Sequence, residues 1–335
     1  MRKITLLSSA LIFIASQGFS QYFTVKIGGG YGWPGIQNSG SVMTFQPGTQ
    51  TPDPATSTIL PLIAQRTDSS SSKFKSNVYD GYGHGGHLDF SFGYMINPYF
   101  GVQLDGAYLW GRNVTSVQLY NDPLLGNNAK LTTSTHSNGL SVNPTFYFRA
   151  AKPTAKVAPY ARIGLALPIS GAIYHSLHID APGFAGGSTA DINVKTEAAI
   201  SLGFQGSVGV SYTPVPLITI WGEVSGQYLM VRAKESTLTK YDLNGQDFTK
   251  NFTTYSLVTN FVDKIDNNSN TTELGTKTRD QTSTTLSKTD ESKPRDVLRQ
   301  VANLSAFGFS VGITFNMSKK IFLDPFGKKA KAAAK

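Results

Sequence analysis

Five histidines are the side chains of this sequence best suited to metal binding or proton transfer: His84, His87, His136, His175 and His178. Histidine is the commonest metal ligand in proteins, and its charge changes near neutral pH. The spacing is not that of a strong metal motif, because on an extended strand His84 points away from His87 and Asp89. We therefore predict no metal site and no cofactor, and these residues remain only weak metal candidates.

The row His87, Asp89 and Ser91 has the residue types of a catalytic triad and lies on one face of a predicted strand. Successive residues on one face lie about 6.5–7 Å apart, since a strand rises roughly 3.3 Å per residue. This separation is too large for the hydrogen-bonded relay that activates a nucleophile. The sequence therefore predicts a protein that is not an enzyme, and an enzyme with its site at the rim that these strand ends form is the less favoured alternative.

Six charged residues lie deep within segments that otherwise alternate between apolar and polar residues: Lys26, Asp89, Asp105, Arg149, Arg162 and Glu223. By parity all six lie on the face that carries small and polar residues, although Trp221 shares the face of Glu223. Charges that leave bulk water must pair or suffer a large desolvation cost. If the segments close into a ring, we expect these residues to form a mutually satisfied network of cations and anions that fills its interior. The alternative is a gated narrow pore that opens when these pairs rearrange.

The segments that position these residues alternate with a period of two, which is typical of β-strands. In the third segment, for example, Phe100, Val102 and Leu104 share one face. Each segment exceeds the roughly 9–11 residues that a tilted strand needs to cross a bilayer, and after the N-terminal segment no apolar run approaches the roughly 20 residues of a transmembrane helix. The eight segments are 22–33, 83–96, 99–112, 137–151, 157–170, 197–213, 218–232 and 301–317.

The links between the segments alternate in length. Three are tight turns and four are long: the turns are Asn97–Pro98, Lys152–Lys156 and Pro214–Leu217, and the long links are 34–82, 113–136, 171–196 and 233–300. Short turns on one side and long loops on the other are typical of outer-membrane barrels, whose short turns are periplasmic and whose long loops are extracellular. An even number of strands then places both termini in the periplasm.

The two faces of the segments distinguish a membrane barrel from a soluble one, in which the apolar face would point inwards. The aromatic residues of the apolar face form two groups, one near the turns (Tyr94, Phe148, Tyr212, Phe315) and one near the long links (Tyr31, Trp33, Tyr108, Trp110, Tyr228). Amphipathic rings are favoured at the two water–lipid interfaces. The pattern predicts an all-β, eight-stranded antiparallel up-and-down transmembrane β-barrel with long extracellular loops.

The two ends of the chain differ from this body. Arg2 and Lys3, an apolar run and small residues before Gln21 predict a secretory signal peptide over residues 1–20, followed by a barrel over 21–317 and a basic periplasmic tail over 318–335. The chain has no cysteine and a formal net charge of +9. Much of that charge lies in the signal peptide and in six lysines near the C-terminus, so a basic binding face is not supported and we predict no nucleic-acid partner.

In this pattern, and in its last strand Phe307–Phe315, the chain resembles the small outer-membrane β-barrel proteins, similar in architecture to the transmembrane domain of outer membrane protein A and its relatives. The resemblance covers about residues 21–317 and implies a barrel in the outer membrane of a Gram-negative-type cell. It departs at the C-terminus, because such barrels often end at the aromatic residue of the last strand, whereas this chain continues from Phe315 to Lys335.

The expected function is structural, or an interaction at the cell surface, with four loops displayed to the exterior. A ligand would bind through loops 34–82 and 233–300, although no recognisable binding motif identifies it. Outer-membrane lipid and lipopolysaccharide are the expected surroundings, and Arg112 and Arg232 lie where a cation would contact lipopolysaccharide phosphate. For these two arginines, snorkelling or pairing within loops is an equal alternative. A narrow porin-like channel for ions or small solutes is the second functional hypothesis.

Overall fold

The computed structural model describes residues 22–34, 63–67, 75–79, 82–122, 126–152, 154–181, 188–266, 268–271 and 289–318. In chain order the strands are β1 (Tyr22–Pro34), β2 (Ile63–Thr67), β3 (Lys75–Tyr79), β4 (Gly85–Met95), β5 (Phe100–Gly111), β6 (Val114–Asp122), β7 (Gly126–Arg149), β8 (Val157–Ala181), β9 (Ser188–Ala198), β10 (Gly203–Val215), β11 (Ile218–Tyr228), β12 (Met230–Leu243), β13 (Gln246–Asp247), β14 (Val258–Val262), β15 (Arg295–Leu298), β16 (Val301–Asn303) and β17 (Ala306–Ser318). Single helical turns occupy Thr249–Asn251 and Thr254–Leu257. Within these ranges no helix has the length and apolar character to span a membrane.

Eight of the strands pair side by side in a closed antiparallel ring. Its order is β1, β4, β5, β7, β8, β10, β11, β17 and back to β1. The ring closes because β17 pairs with β1 along its whole length, from Tyr22 opposite Ser318 to Pro34 opposite Ala306. The prediction of an all-β and mainly antiparallel fold is confirmed.

The ring has an apolar outer surface because alternate residues of each strand point outwards. On every ring strand a large apolar side chain is between 44% and 60% exposed: Ile27, Phe92, Leu104, Phe146, Ile163, Phe204, Val224 and Ile313. The residues between them, such as Thr24, Ser91 and Ser207, are buried in the interior. The ring is thus apolar outside and polar inside, the reverse of a soluble barrel.

Several predicted strand ends are wrong. The predicted sixth strand begins at 197, but β10 begins at Gly203 and residues 199–202 are not in a strand. The predicted seventh strand, 218–232, is interrupted at Leu229. The amide of Leu229 donates to Ser305 Oγ, and its carbonyl accepts from the amide of Leu304, so this residue does not pair with a ring strand. The last strand begins at Ala306 rather than at 301, with the short β16 before it.

The described residues of the long links, which we expected to be loops, are in large part sheet. Strands β7 and β8 continue beyond the ring and pair there with β6 and β9, and β12 pairs with β9, β14 and β16. We call this sheet the extension. It consists of β6, β9, β12 to β16 and the parts of β7 and β8 that continue beyond the ring. Two small apolar cores hold it together, one around Ile173 and Phe261 and one around Leu177 and Ile192.

Some predictions lie outside the described residues. The signal peptide over 1–20 and the tail from residue 319 onward belong to this group. Residues 35–62 of the first long link and residues 272–288 of the last, which we expected to be loops, also lie outside the described residues.

Candidate functional site

The strand register brings four of the predicted charges together inside the ring. Lys26 is opposite Ser91, and Ser91 is opposite Asp105 on the next strand. Arg162 is opposite Ser207, and Glu223 is opposite Ser310. Because each charged residue has a serine as a cross-strand neighbour, the long side chains have room to extend across the interior.

These four charges, Lys26, Asp105, Arg162 and Glu223, form one connected cluster that we call the charge network. Lys26 Nζ donates to Glu223 Oε2 at 3.0 Å, and Arg162 Nη1 donates to Asp105 Oδ2 at 2.8 Å. Arg162 Nη2 also donates to Glu223 Oε1, which joins the two pairs. Two cations face two anions, so the charge network is neutral and its members neutralise one another.

Neutral side chains complete the charge network. Tyr160 donates its hydroxyl to Glu223 Oε2 at 2.7 Å, and Thr145 donates to Asp105 Oδ2 at 2.9 Å. Arg162 Nε donates to Ser207 Oγ at 3.1 Å. Sequence reasoning did not select these residues, although the parity of Tyr160 and Arg162 places both on one face of the same strand. Such bonds satisfy lone pairs that would otherwise be buried without a partner.

Trp221, the exception in the sequence pattern, is part of the same layer. Its side chain is buried at 3% exposure, and the Lys26 ammonium lies 3.6 Å from the centroid of its ring. A cation over an aromatic face is attracted by the ring quadrupole, more strongly away from water. The ring lies against Gly28 and Gly312, where an added Cβ would overlap it. Trp221 therefore fills the middle of the ring and helps to hold Lys26.

The two remaining predicted charges lie apart from the charge network. Asp89 is beside His87, with its Oδ2 3.4 Å from His87 Nε2. Arg149 lies near the end of the ring that carries the short turns, where its guanidinium donates to the carbonyl of Ala155 at 2.9 Å. The expected network of six is therefore a network of four with two separate contacts.

Two cavities lie on opposite sides of the charge network, and Lys26 lines both. The lower cavity, of about 520 Å³, extends to the short turns at Pro98, Thr154 and Pro216. The upper cavity, of about 170 Å³, lies between the charge network and the extension, with Asp89 among its lining residues. The charge network and Trp221 thus form a plug in the middle of the ring.

The five histidines are dispersed over separate contacts. Among the described residues there is no group of three or more His, Cys, Asp or Glu that could hold a metal ion. Burial in the extension lowers the pKa of His175 to about 4. The histidine contacts are His84 with the Tyr31 hydroxyl at 2.9 Å, His87 with Ser310 Oγ at 2.9 Å, His136 stacked on Tyr174, His175 with Thr135 Oγ1 at 3.0 Å, and His178 with Asp191 at 2.6 Å.

The neighbours of His87 do not form a proton relay. Its Nε2 atom contacts both Ser310 Oγ, at 2.9 Å, and Asp89 Oδ2, at 3.4 Å. A Ser-His-Asp relay requires the serine and the carboxylate to use different ring nitrogens. Ser91, the serine considered from the sequence, lies four residues from His87 on the same face of β4 and is buried.

The two arginines considered for lipopolysaccharide lie at the boundary between the ring and the extension. Arg112 follows the last residue of β5, and its backbone amide donates to the carbonyl of His84 at 2.8 Å. Arg232 is in β12, opposite Val301 of β16. Both residues are exposed, so their side chains are accessible to an external anion.

Comparison with known proteins identifies the family. The chain belongs to the outer membrane protein beta-barrel domain family, whose model matches residues 5–261. The resemblance inferred from the strand pattern is therefore confirmed, and the family is one of the outer membrane. No curated protein matches the chain.

Solved structures of outer-membrane proteins are also similar to this chain. Neisserial surface protein A (NspA) is 11% identical, with 88% of this chain and 96% of that chain covered and a TM-score of 0.31. OprG from Pseudomonas aeruginosa is 10% identical, with 90% and 97% covered and a TM-score of 0.35. Ail, the attachment invasion locus protein of Yersinia pestis, is 10% identical, with 89% and 99% covered and a TM-score of 0.26.

Proposed function

We propose that the ring spans the outer membrane as a β-barrel, with its apolar outer surface in lipid. The two aromatic groups support this. Phe23, which packs against Tyr94 of the group near the turns, and Trp33, of the group near the long links, share the outer face of β1. They are ten residues apart, which corresponds to roughly 33 Å along a strand. With the usual strand tilt of about 40°, this distance becomes roughly 25 Å along the barrel axis. That is about the height of the apolar band of outer-membrane barrels.

The proposed role is to display the extension at the cell surface, without catalysis and with both termini in the periplasm. The observation that carries this proposal is the contrast between the two ends of the ring. Among the described residues one end has short turns, such as residues 96–99, whereas the other continues into a sheet with its own apolar cores. The plug inside the ring favours display over passage, because the middle of the interior is filled with paired side chains.

The absence of cysteine in the sequence allows a direct test by single-cysteine labelling of intact cells. Thr239 is an exposed residue of the extension, and Thr154 is an exposed residue of a short turn. With a membrane-impermeant maleimide, we expect Thr239→Cys to react on intact cells. Thr154→Cys should react only after the outer membrane is permeabilised.

The two variants are matched, since each replaces an exposed threonine. Reaction of Thr154→Cys alone on intact cells would mean that the barrel has the opposite orientation. Reaction of both, or of neither, would contradict a spanning barrel that displays the extension. Heat-modifiable migration on gels confirms that each variant is folded before labelling is compared.

We further propose that Arg112 and Arg232 bind phosphate groups of lipopolysaccharide. Arginine forms bidentate hydrogen bonds to phosphate, and both side chains are exposed near the aromatic group at the extension end of the ring. The double variant Arg112→Ala/Arg232→Ala should weaken binding of refolded protein to lipopolysaccharide by about tenfold. Lys264→Ala/Lys293→Ala removes two charges that are also exposed and serves as the control. Equal losses in both double variants would indicate only general electrostatic attraction.

A further inference from the structure

The upper cavity has a polar floor and an apolar roof. The charge network forms its floor, and Ile173, Ala233, Ala302 and Leu304 lie in its roof. Three of these roof residues belong to the apolar core around Phe261, and Leu304 packs against that core. The part of the extension that faces the cavity is therefore lined by apolar side chains, which favours a ligand that is itself partly apolar.

The charges around the upper cavity do not balance. Inside the ring its lining contains three carboxylates, of Asp89, Asp105 and Glu223, but only two permanent cations, of Lys26 and Arg162. Glu197 and Arg232, which line the cavity at the extension, have opposite charges and do not alter this difference. The charge network uses both cations for Asp105 and Glu223. One negative charge, that of Asp89, is left without a permanent cation of its own.

Asp89 is the group that a ligand can reach. Its side chain is 22% exposed although it points into the ring, whereas the side chain of Glu223 is 2% exposed. Among the described residues its one ion-pair contact is with His87, and Ser310 hydrogen-bonds to it. Lys26 also attracts it, but the Lys26 ammonium is already paired with Glu223. A carboxylate in a confined space without a permanent cationic partner attracts a positively charged group.

We propose that the upper cavity binds a compact organic cation, an ammonium group on a short apolar body, with Asp89 as its counter-ion. The ammonium group would restore neutrality at the floor, and the apolar body would contact the roof. The cavity volume of about 170 Å³ corresponds to on the order of ten water positions. It therefore accommodates a small molecule rather than a peptide. This inference goes beyond surface display and does not depend on the orientation of the barrel.

The lining also offers a route of entry. Glu197 and Arg232 line the upper cavity where β9 ends and β12 begins. The side chain of Glu197 is 39% exposed, and Arg232 is exposed. A ligand would therefore enter at this side of the extension, where lining residues are partly exposed.

Three probes of nearly equal size separate the effect of charge from that of shape: 2-phenylethylammonium, the neutral 2-phenylethanol and the anionic phenylacetate. Each is titrated calorimetrically into the full chain in lipid nanodiscs, with empty nanodiscs subtracted. We expect saturable one-to-one binding of the ammonium probe, at least about tenfold tighter than that of the alcohol. The anion should bind most weakly.

Variants locate the binding at Asp89. Asp89→Asn should remove the preference for the ammonium probe over the alcohol, while Asp191→Asn, in the exposed part of the extension, should keep it. Ala107 is opposite Asp89 and lines the same cavity, so Ala107→Phe should abolish binding of both probes. Absence of saturable binding to the wild type, equal affinity for cation and alcohol, or unchanged binding by Ala107→Phe would each overturn the proposal. If Asp89→Asn does not fold, the probe series and Ala107→Phe decide the question.

Discussion

At the scale of single residues, parity predicts which side chains point inwards but not which ones meet. The inward position of Lys26, Asp105, Arg162 and Glu223 follows from alternation along each strand. The pairing of Lys26 with Glu223 depends on the ring order, because their strands are separated by β17. The position of Trp221 likewise depends on two glycines from distant parts of the sequence. No local pattern contains this information.

The first residue-scale prediction concerns Gly28, which lies against the Trp221 ring. A methyl group at this position would overlap the indole and the Val311 carbonyl. We expect Gly28→Ala to lower the free energy of unfolding by about 1–3 kcal/mol, as overpacked interiors do. Gly226→Ala is the matched control, because nothing lies within 4 Å of its added Cβ. Urea unfolding in lipid measures both, and an equal effect at the two glycines would contradict the packing of Trp221.

The second residue-scale prediction concerns the pH dependence of His175. Its pKa in the folded chain is lowered by burial from 6.5 to about 4. Between these values the unfolded chain binds the proton and the folded chain does not, so stability falls as the pH falls. The loss begins near pH 6.5, is complete near pH 4, and amounts to about 3 kcal/mol at 1.36 kcal/mol per pKa unit.

His175→Asn should remove this part of the pH dependence, which urea unfolding followed by circular dichroism measures over the same pH range. His178→Asn is the control, because the His178 side chain is 48% exposed and lacks the burial that lowers the pKa of His175. A pH profile that is the same in His175→Asn as in the wild type would contradict the assignment to His175.

At the scale of elements, the ring strands were predictable and the extension was not. Along a ring strand apolar and polar residues alternate, with exceptions such as Trp221, because the outer face is apolar and the inner face is polar. In the extension, serine and threonine residues are also buried, for example Thr135, Thr196 and Ser236. Thr196 and Ser236 hydrogen-bond to each other at 3.0 Å. A polar composition that is typical of loops therefore also occurs inside this sheet.

An element-scale prediction concerns Asn270, which connects two segments of the extension. Its side-chain amide donates to the carbonyls of Asp290 and Pro294, each at 2.9 Å, and its Oδ1 accepts from the Asp290 amide at 2.9 Å. We expect Asn270→Ala to increase amide hydrogen exchange at Asp290 by about tenfold through local opening. Heat-modifiable migration should not change. Asn268→Ala, at an exposed position of the same segment, is the control.

At the scale of the whole molecule, the plug fills the ring between its two cavities. An eight-stranded barrel has an interior just wide enough for side chains to fill. Here the charge network and Trp221 fill its middle, between the upper and lower cavities. The sequence predicted a filled interior of this kind, although it assigned six charges to one network.

We therefore expect planar bilayers that contain the wild-type chain to show no current steps, or only rare and very small ones. Trp221→Ala, which removes the largest side chain of the plug, is the matched variant. Steps that appear only in this variant would locate the barrier at Trp221. Frequent uniform steps in the wild type would contradict the plug and support the channel hypothesis.

Closure of the ring by its first and last strands has a consequence for biogenesis. Tyr22 pairs with Ser318, so the contact that completes the ring joins residues from almost opposite ends of the sequence. Such long-range contacts are formed slowly, because the loop-closure entropy is lost before the contact stabilises anything. Until β17 has been synthesised, β1 and β11 both have an unpaired edge. The ring can therefore close only after β17 is present, and until then it has two strand edges that could pair with another chain.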